Sequence, residues 1–436
     1  MRLPFRKTKR TQQKQAGGAR PQGQGATGRR GEPGWVKETG PADYLLLAVA
    51  LALVAFGVVM VFSASAVYAN QQHDDGHHFL VRQGFFALFG VCAMLIGARL
   101  DYHHYRKFTY PMLGVAVLLM MVVALGFGHS VGGASRWIRL GPINIQPSEV
   151  AKLALVMWLA YSLSKKSEHI RSFSIGFLPH VLMAGFLMLL CLEQPDFGSA
   201  VMIGLLTFVM LFAAGAKTGY ILLAVLAAAP AAWAVIATSP YRMRRIQAFL
   251  APFEHRYDVG YQISESLMSF GAGGPTGVGI GDSRQKLFFL PEAHTDFISA
   301  IIGEELGFVG VALLILAFVL VVLRGLRAAY RAADDYGTWL AVGITLFIGF
   351  QAFTNLAVTM GMLPTKGLVL PFISYGGSSL VVNCAAIGIL LNVSRPREVA
   401  EVDGDDAAGA TAARPKKRGK RNRAATGRAA AMGGAT

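Results

Sequence analysis

The sequence predicts an all-α polytopic membrane protein. Hydrophobic residues make up 53% of its 436 residues and charged residues only 15%, which is more apolar surface than a soluble domain of this size can bury. The apolar residues fall into runs of about 18–25, the length of helix that crosses the hydrocarbon core of a bilayer. Because lipid offers the backbone no hydrogen bonds, these runs are expected to be helices.

Two basic tails, at residues 1–41 and 396–436, flank this apolar body. The chain before residue 42 and from residue 394 onward holds 20 of the 41 Lys and Arg residues but only seven of the 25 acids. Most of the net charge of +16 therefore belongs to the tails, and it gives no indication of a nucleic-acid partner. We expect both tails to be disordered, because they have little apolar surface to bury. They act either as a cytoplasmic topology signal or by binding anionic lipid or a partner.

Ten apolar segments lie between the tails, within a domain of residues 42–395. Short connections that carry Lys and Arg occur at alternate positions, on the same side as both basic tails, and the connections near 67–78 and 193–198 on the opposite side carry none. The positive-inside rule therefore places the basic connections and both tails in the cytoplasm. The segments are placed near 43–66, 79–100, 109–127, 148–164, 173–192, 199–215, 219–239, 297–323, 338–362 and 371–393. The cytoplasmic connections contain Arg106, Lys107, Lys165, Lys166, Arg171, Lys217, Arg324, Arg327 and Arg331.

Three outward connections carry cations that the topology rule does not explain. Residues 128–147 contain Arg136 and Arg139, and residues 363–370 contain Lys366. The 240–296 connection between the seventh and eighth segments contains Arg242, Arg244, Arg245, Arg256, Arg284 and Lys286. These cations indicate either an anionic ligand on the outer face or ordinary pairing with outer acids and lipid phosphates.

The large 240–296 loop is the longest polar interval between apolar segments. Apolar residues at helical spacing predict two short interfacial helices within it. Its glycine run, Gly271–Gly281, lacks the Lys of a phosphate-binding loop and follows no strand, so it is either a hinge or a backbone cradle for phosphate. The apolar positions are Ile246, Phe249, Leu250 and Phe253, then Ile263, Leu267 and Phe270.

Acidic residues near the ends of the apolar segments are the candidates for chemistry. Asp296 begins the eighth segment, where it is either a general base with a pKa raised by burial or an N-cap. Glu304 and Glu305 lie deeper in that helix and either relay protons or pair with a cation. Glu149 and Lys152 are three residues apart and share one helix face.

Several other polar features have two interpretations. Asp196 is either a helix cap or a ligand for substrate or cation. The polar stripe Gln351, Thr354, Asn355 and Thr359 is interpreted mainly as helix packing. The histidine-rich loop at 73–78 either binds a metal or is simply solvated. The three cysteines are expected to be core residues, since no disulfide or metal spacing is present.

Seven motifs, in order and over residues 43–395, resemble the SEDS family of shape, elongation, division and sporulation proteins, and its division member more than its elongation member. One departure occurs at Ser299, where the family often has Phe, and we expect only a change in packing there. The motifs are GGASRWI (132–138), QPSEVAKL (146–153), EQPDFGSA (193–200), RRIQAFLAPF (244–253), QKLFFLPEAHTDFI (285–298), GEELGFVG (303–310) and LPTKGLVLPFISYGGSS (363–379).

The resemblance implies a ten-helix enzyme that polymerises lipid II into glycan strands at the outer face of the cytoplasmic membrane. It would work during septum formation beside a class B penicillin-binding protein and other divisome membrane proteins. The family's catalytic aspartate falls on Asp296, which would activate the acceptor 4-hydroxyl for a single inverting attack that releases undecaprenyl diphosphate. Arg136 and Lys366 match positions suited to the diphosphate. The remaining matched positions are Trp137, which would pack on sugar or lipid, and the cavity residues Glu149, Lys152, Asp196 and His294.

Two rival functions remain at this stage. A lipid II flippase is suggested by the polar stripe and by Glu304 and Glu305, and a septal scaffold without enzymatic activity is suggested by the tails. A Mg²⁺ or Mn²⁺ ion on the diphosphate is compatible with the enzyme, although no ligand set in the sequence indicates one.

Overall fold

The structure is a computed structural model that describes residues 36–38, 40–131, 134–141, 143–287, 289–365 and 367–399. The two predicted tails lie largely outside the described residues, as does Lys366. Residues Glu38–Arg397 belong to one compact unit that contains all of the helices.

Twelve α-helices make up most of the described chain. They are α1 (Tyr44–His73), α2 (His78–Arg99), α3 (Tyr102–Val122), α4 (Pro147–Lys165), α5 (Leu178–Glu193), α6 (Phe197–Ala213), α7 (Thr218–Ala237), α8 (Pro240–Leu250), α9 (Tyr261–Gly273), α10 (Ile298–Arg331), α11 (Asp335–Thr359) and α12 (Gly377–Val393). Single π-helical turns, Val123–Phe127 and Phe173–Phe177, extend α3 and precede α5.

Each of the ten predicted apolar segments overlaps one helix, namely α1–α7 or α10–α12. Seven described helices are long and apolar enough to cross a membrane. The chain is therefore mostly helical, with seven candidate spans. α6 and α12, of 17 residues each, are shorter, and α4 includes a charged pair.

The all-α prediction holds for the apolar segments, but the 128–147 connection between two of them contains β-strands. This segment forms an antiparallel sheet of three strands, in the order β2 (His129–Val131), β3 (Ala134–Leu140) and β4 (Ile143–Ile145). Trp137 is opposite His129, and Ile138 is opposite Ile145. Glycines at 128, 132, 133 and 141 interrupt the segment and disfavour a helix, and strand pairing satisfies its backbone instead. The other described strands are β1 (Val36–Glu38) and β5 (Arg397–Val399).

The ends of several helices also differ from the predicted bounds. α10 continues to Arg331, so Arg324, Arg327 and Arg331 lie on its last turns and not in a connection. Long arginine side chains reach polar surroundings from within a helix, which is why charge alone did not end it. Conversely, residues 371–376 precede α12, and that helix begins only at Gly377.

The core is centred on α4 and α11. α11 is buried along most of its length, and α4 is buried on nearly every face. In contrast, α7 has no buried residue. A hydrogen bond from Ser148 to Asp196 joins the starts of α4 and α6, and one from Asn355 to Asp296 joins the end of α11 to the start of α10. Asp196 is close enough to Asp296 to affect its pKa, so the four helix ends lie at one end of the bundle. The candidate site lies at this end.

Candidate active site

Asp296 stands two residues before α10 with its carboxylate free of a capping role. The N-cap residue of α10 is Phe297, and no side chain caps this helix. The N-cap interpretation of Asp296 is therefore wrong. Its backbone carbonyl accepts a hydrogen bond of 2.8 Å from the Asn355 amide, which fixes the peptide while the half-buried carboxylate faces the neighbouring connections.

The surroundings of Asp296 raise its pKa to about 7. Desolvation by the packed connections is the largest cause, and the Glu292 carboxylate adds to it. The guanidiniums of Arg245 and Arg136 oppose the shift by favouring the ionised form. A carboxylate with a pKa near neutrality is a stronger base than an exposed aspartate and still ionises at physiological pH.

Arg136, on β3, joins two other connections to this carboxylate. Its Nε donates to the carbonyl of Gln194 at 3.3 Å, and its Nη2 donates to the carbonyl of Pro195. A Cβ added at Gly367 would lie 3.7 Å from Arg136 Nη1 and 3.2 Å from Asp296 Oδ2. The connections that contain Arg136, Pro195 and Gly367 therefore meet around the Asp296 carboxylate. Because Gly367 has no side chain, its backbone can lie close to that carboxylate.

The predicted diphosphate contact of Lys366 lies outside the described residues. Its described neighbours, Thr365 and Gly367, border the site. Arg245, on α8, donates from Nη1 to the Thr365 carbonyl at 3.1 Å, and its guanidinium lies 4.6 Å from the centre of the Tyr241 ring. The sequence identified Arg245 only as one of six loop cations. No spacing rule distinguishes it from the others, because its role depends on a contact 120 residues away in the chain.

Glu149 and Lys152 form a buried ion pair inside the core. The Nζ–Oε1 distance is 2.7 Å, with the side chains 2% and 0% exposed respectively. Val156 packs against Gly343, and Lys152 lies over the Phe347 ring. Residue numbers therefore rise along α4 as they fall along α11, so the two helices are antiparallel. Glu149 is thus placed at the level of Gln351. This pair underlies the site and does not contact Asp296 in the structure.

Asp196 is buried and caps α6. Its carboxylate accepts from the Ser199 backbone N–H at 3.1 Å and from the Ser148 hydroxyl at 3.1 Å. Asp196 was predicted to be either a helix cap or a ligand for substrate or cation, and the structure shows it as the N-cap of α6. Because it follows Pro195 directly, this cap also fixes the carbonyl that Arg136 binds.

His294 lies in an aromatic cluster beside the site. Its ring centre is 4.8 Å from that of Phe79, 5.5 Å from Tyr68 and 5.8 Å from Tyr375. Desolvation lowers its pKa, so the imidazole is neutral at pH 7. Trp137 is half-buried on β3, next to Arg136.

Glu304 and Glu305 anchor the large loop to α10. Glu304 accepts from the Ser283 hydroxyl and from the Arg284 backbone N–H, the latter at 3.0 Å. Glu305 accepts from Ser63 at 2.7 Å and from Lys286 at 3.1 Å. Both acids therefore hold the loop in place, as expected for a structural role, and the described contacts show no chain of proton-relay groups.

The glycine run forms the junction between α9 and α10. The Gly279 N–H donates to the Glu305 carbonyl at 3.1 Å, and α10 bends at Gly307 with φ 65°. The run therefore packs against a helix, as a hinge or turn would. Among the described residues, no group of three or more His, Cys, Asp and Glu side chains is arranged to hold a metal.

The chain is similar in sequence to proteins of a single family. The model of the FtsW/RodA/SpoVE family, described as cell cycle protein, matches residues 43–399. A probable peptidoglycan glycosyltransferase FtsW from Geobacter metallireducens is 49% identical over 360 residues, covering 82% of this chain and 96% of its own. Stage V sporulation protein E of Bacillus subtilis is 42% identical over 363 residues, covering 82% and 98%.

Solved structures show the same architecture. A chain from a structure on the coordination of polymerization and crosslinking by a peptidoglycan synthase complex matches with a TM-score of 0.68 and 28% identity, covering 81% of this chain and 97% of that one. The rod shape determining protein RodA of Thermus thermophilus matches with a TM-score of 0.60 and 28% identity, covering 81% and 96%.

Proposed function

The chain belongs to the FtsW/RodA/SpoVE family of cell cycle proteins, and on that basis we propose that it is a peptidoglycan glycosyltransferase that polymerises lipid II into glycan strands during septal wall synthesis. The observation that carries this proposal is the half-buried Asp296 carboxylate beside two arginines. A base for the acceptor and cations for an anionic leaving group are the two requirements of glycosyl transfer from a diphosphate donor.

Asp296 acts as the general base in this proposal. Its carboxylate takes the proton of the acceptor sugar's 4-hydroxyl while that oxygen attacks the anomeric carbon of the donor. The anomeric carbon–oxygen bond breaks, and its electron pair leaves with undecaprenyl diphosphate. One displacement of this kind inverts the anomeric centre. With a pKa of about 7, a large fraction of the carboxylate is ionised near neutral pH and can accept the proton.

Cations at the site stabilise the diphosphate. A guanidinium has five N–H donors, and the described contacts of Arg136 use its Nε and Nη2 groups. The remaining donors of Arg136 and Arg245 are available to phosphate oxygens, and Lys366 adds a third cation on the adjoining segment. Trp137, next to Arg136, and His294, two residues before Asp296, are placed to pack on sugar or lipid in this proposal, while Glu149, Lys152 and Asp196 support the site from below.

The protein is a multi-pass membrane protein. We propose that all ten apolar helices cross the cytoplasmic (inner) membrane, with both termini in the cytoplasm and the 240–296 loop outside. In this orientation α8 and α9 lie at the outer interface, and both lipid tails of the substrates stay in the bilayer. The relative in a peptidoglycan synthase complex supports a penicillin-binding transpeptidase as partner, with other divisome proteins nearby.

Among the described residues no three His, Cys, Asp or Glu side chains are grouped to hold a metal, and Asp296 shares its surroundings with two arginines as well as with Glu292. A Mg²⁺ or Mn²⁺ ion in the reaction would therefore arrive on the substrate diphosphate. Addition of a chelator to the assay tests this point, since it would slow polymerisation only if such an ion takes part.

The function is tested by incubating the purified protein and its transpeptidase partner with fluorescent lipid II and separating the products on a gel. We expect a ladder of glycan polymer. A vesicle assay that shows lipid II crossing the membrane without polymer would favour the flippase. The acids that suggested a flippase, Glu304 and Glu305, are both occupied by loop contacts. Division that requires only the tails, without activity, would favour the scaffold.

A further inference from the structure

We propose that Asn355 is a positioning residue that holds the Asp296 peptide and the 365–368 segment at a fixed separation, so that the base and the phosphate-binding segment face the same substrate. The inference rests on the proposed function and adds to it a residue of the polar stripe on α11. The sequence had suggested helix packing for this stripe.

The Asn355 amide binds both parts of the site at once. Its Nδ2 donates to the Asp296 carbonyl at 2.8 Å and to the Leu368 carbonyl at 2.7 Å. The two N–H groups of one rigid amide thus connect the beginning of α10 to the connection that follows α11. Asn355 is 2% exposed, so water does not compete for these two carbonyls.

Neighbouring hydroxyls fix the orientation of this amide. The Ser299 hydroxyl lies 3.3 Å from Asn355 Oδ1 and 2.8 Å from the Thr359 hydroxyl. With its oxygen engaged by Ser299, the amide directs its NH₂ group toward the two carbonyls. Ser299 is the position at which the motif departs from the family pattern, and here its hydroxyl takes part in the network, which goes beyond a change in packing.

The 365–368 segment is held at its other end by Arg245, which donates to the Thr365 carbonyl at 3.1 Å. Lys366 and Gly367 lie between these two attachments. Gly367 is close enough to Asp296 that an added Cβ would lie 3.2 Å from the carboxylate. Loss of the Asn355 amide therefore releases one end of the segment and the Asp296 peptide together.

The test compares Asn355→Asp with Thr354→Val in the full-length protein and its transpeptidase partner. Asn355→Asp keeps the size of the side chain but removes the NH₂ group that both carbonyls need. Thr354 is the matched control, because it is buried on the same helix and its hydroxyl contacts only Met202 sulfur, at 3.9 Å, among the described residues. Asn355→Ser, which shortens the side chain and adds no charge, serves if the Asp variant does not fold.

We expect Asn355→Asp to lower kcat for lipid II polymerisation about 10- to 100-fold, with a smaller change in KM, since a misplaced base slows the reaction more than it weakens binding. Asn355→Ser, whose hydroxyl is too short to reach both carbonyls, should also lower kcat, and Thr354→Val should not. Hydrogen exchange of the amides in 363–370 should be faster in both Asn355 variants than in wild type or Thr354→Val.

Two results would overturn the inference: wild-type kcat in Asn355→Asp, or a kcat loss without faster exchange in 363–370. A wild-type protein that makes no polymer would instead refute the proposed function. The exchange comparison would still decide whether Asn355 holds the segment, so the two failures are distinguishable.

Discussion

At the scale of single residues, the site depends on a carboxylate whose basicity comes from its neighbours. Residue type and position made Asp296 and Arg136 candidates, and the family resemblance assigned their roles. The sequence did not exclude the N-cap role, because an aspartate at a helix start is common in either role. It also gave no value for the pKa, since the desolvation that raises it comes from connections that meet only in the folded chain.

The pH dependence of polymerisation tests the basicity of Asp296 directly. Only the ionised carboxylate accepts a proton, so with a pKa of about 7 the rate should rise with pH through neutrality and fall to about a tenth of its plateau near pH 6. Glu292→Gln should shift this acid limb to lower pH, because the Glu292 carboxylate raises the pKa of Asp296. Initial rates from pH 5.5 to 8.5 give both values, and an unmoved limb in Glu292→Gln would contradict the electrostatic account.

Arg136→Gln should have the opposite effect on the same profile. The Arg136 guanidinium lowers the pKa of Asp296, so its removal moves the acid limb to higher pH. The variant should also raise the KM for lipid II, because one diphosphate contact is lost. Arg139→Gln is the control, as Arg139 lies on the same strand and is exposed. Equal profiles for the two variants would argue against a role for Arg136 beside the base.

At the scale of elements, hydropathy and helical periodicity predicted most of the helices, including α8 and α9 in the large loop. The strands β2–β4 were missed because each is short and lacks a clear alternation. The junction between α9 and α10 was also beyond prediction. A glycine run identifies a turn, whereas the helix that receives it is determined by the contacts of Glu304 and Glu305.

Gly273→Ala tests the packing of α9 on α10. A Cβ at Gly273 would lie 1.9 Å from the Gly303 carbonyl, whereas a Cβ at Gly271, on the same helix, meets nothing within 4 Å. The clash should cost about 1–3 kcal/mol or more of stability. We expect a lower melting temperature in detergent for Gly273→Ala and none of this loss for Gly271→Ala. Equal melting temperatures would show that the two helices are packed less closely than the structure indicates.

The buried pair on α4 gives a second prediction at this scale. Lys152→Met leaves the Glu149 charge unpaired in the core and should destabilise the protein by about 3–5 kcal/mol. The double variant Glu149→Gln with Lys152→Met removes both charges and should recover most of this loss. Thermal unfolding of the single and double variants measures the difference. A double variant as unstable as Lys152→Met alone would mean that the pair is not what stabilises this part of the core.

At the scale of the whole molecule, the sequence predicted where the apolar segments lie but not how their outer connections meet. The cations at 128–147, 240–296 and 363–370 were each noticed because positive charge there opposes the topology rule. Their convergence follows from the order in which helices pack around α4 and α11, and it rests on single contacts such as Arg245 to Thr365 and Asn355 to Leu368. Hydropathy contains no information about such contacts, so the arrangement of the site could be recognised only in the folded structure.

The rate of glycan polymer formation from lipid II by Asp296→Asn, beside wild type and with the same transpeptidase partner, is the most direct test of the central claim. Asparagine keeps the size of the side chain and cannot accept the acceptor's proton as a base. We therefore expect equal melting temperatures and a rate at least about 100-fold lower than that of wild type. A folded Asp296→Asn protein that polymerises lipid II at the wild-type rate would contradict the assignment of Asp296 as the catalytic base.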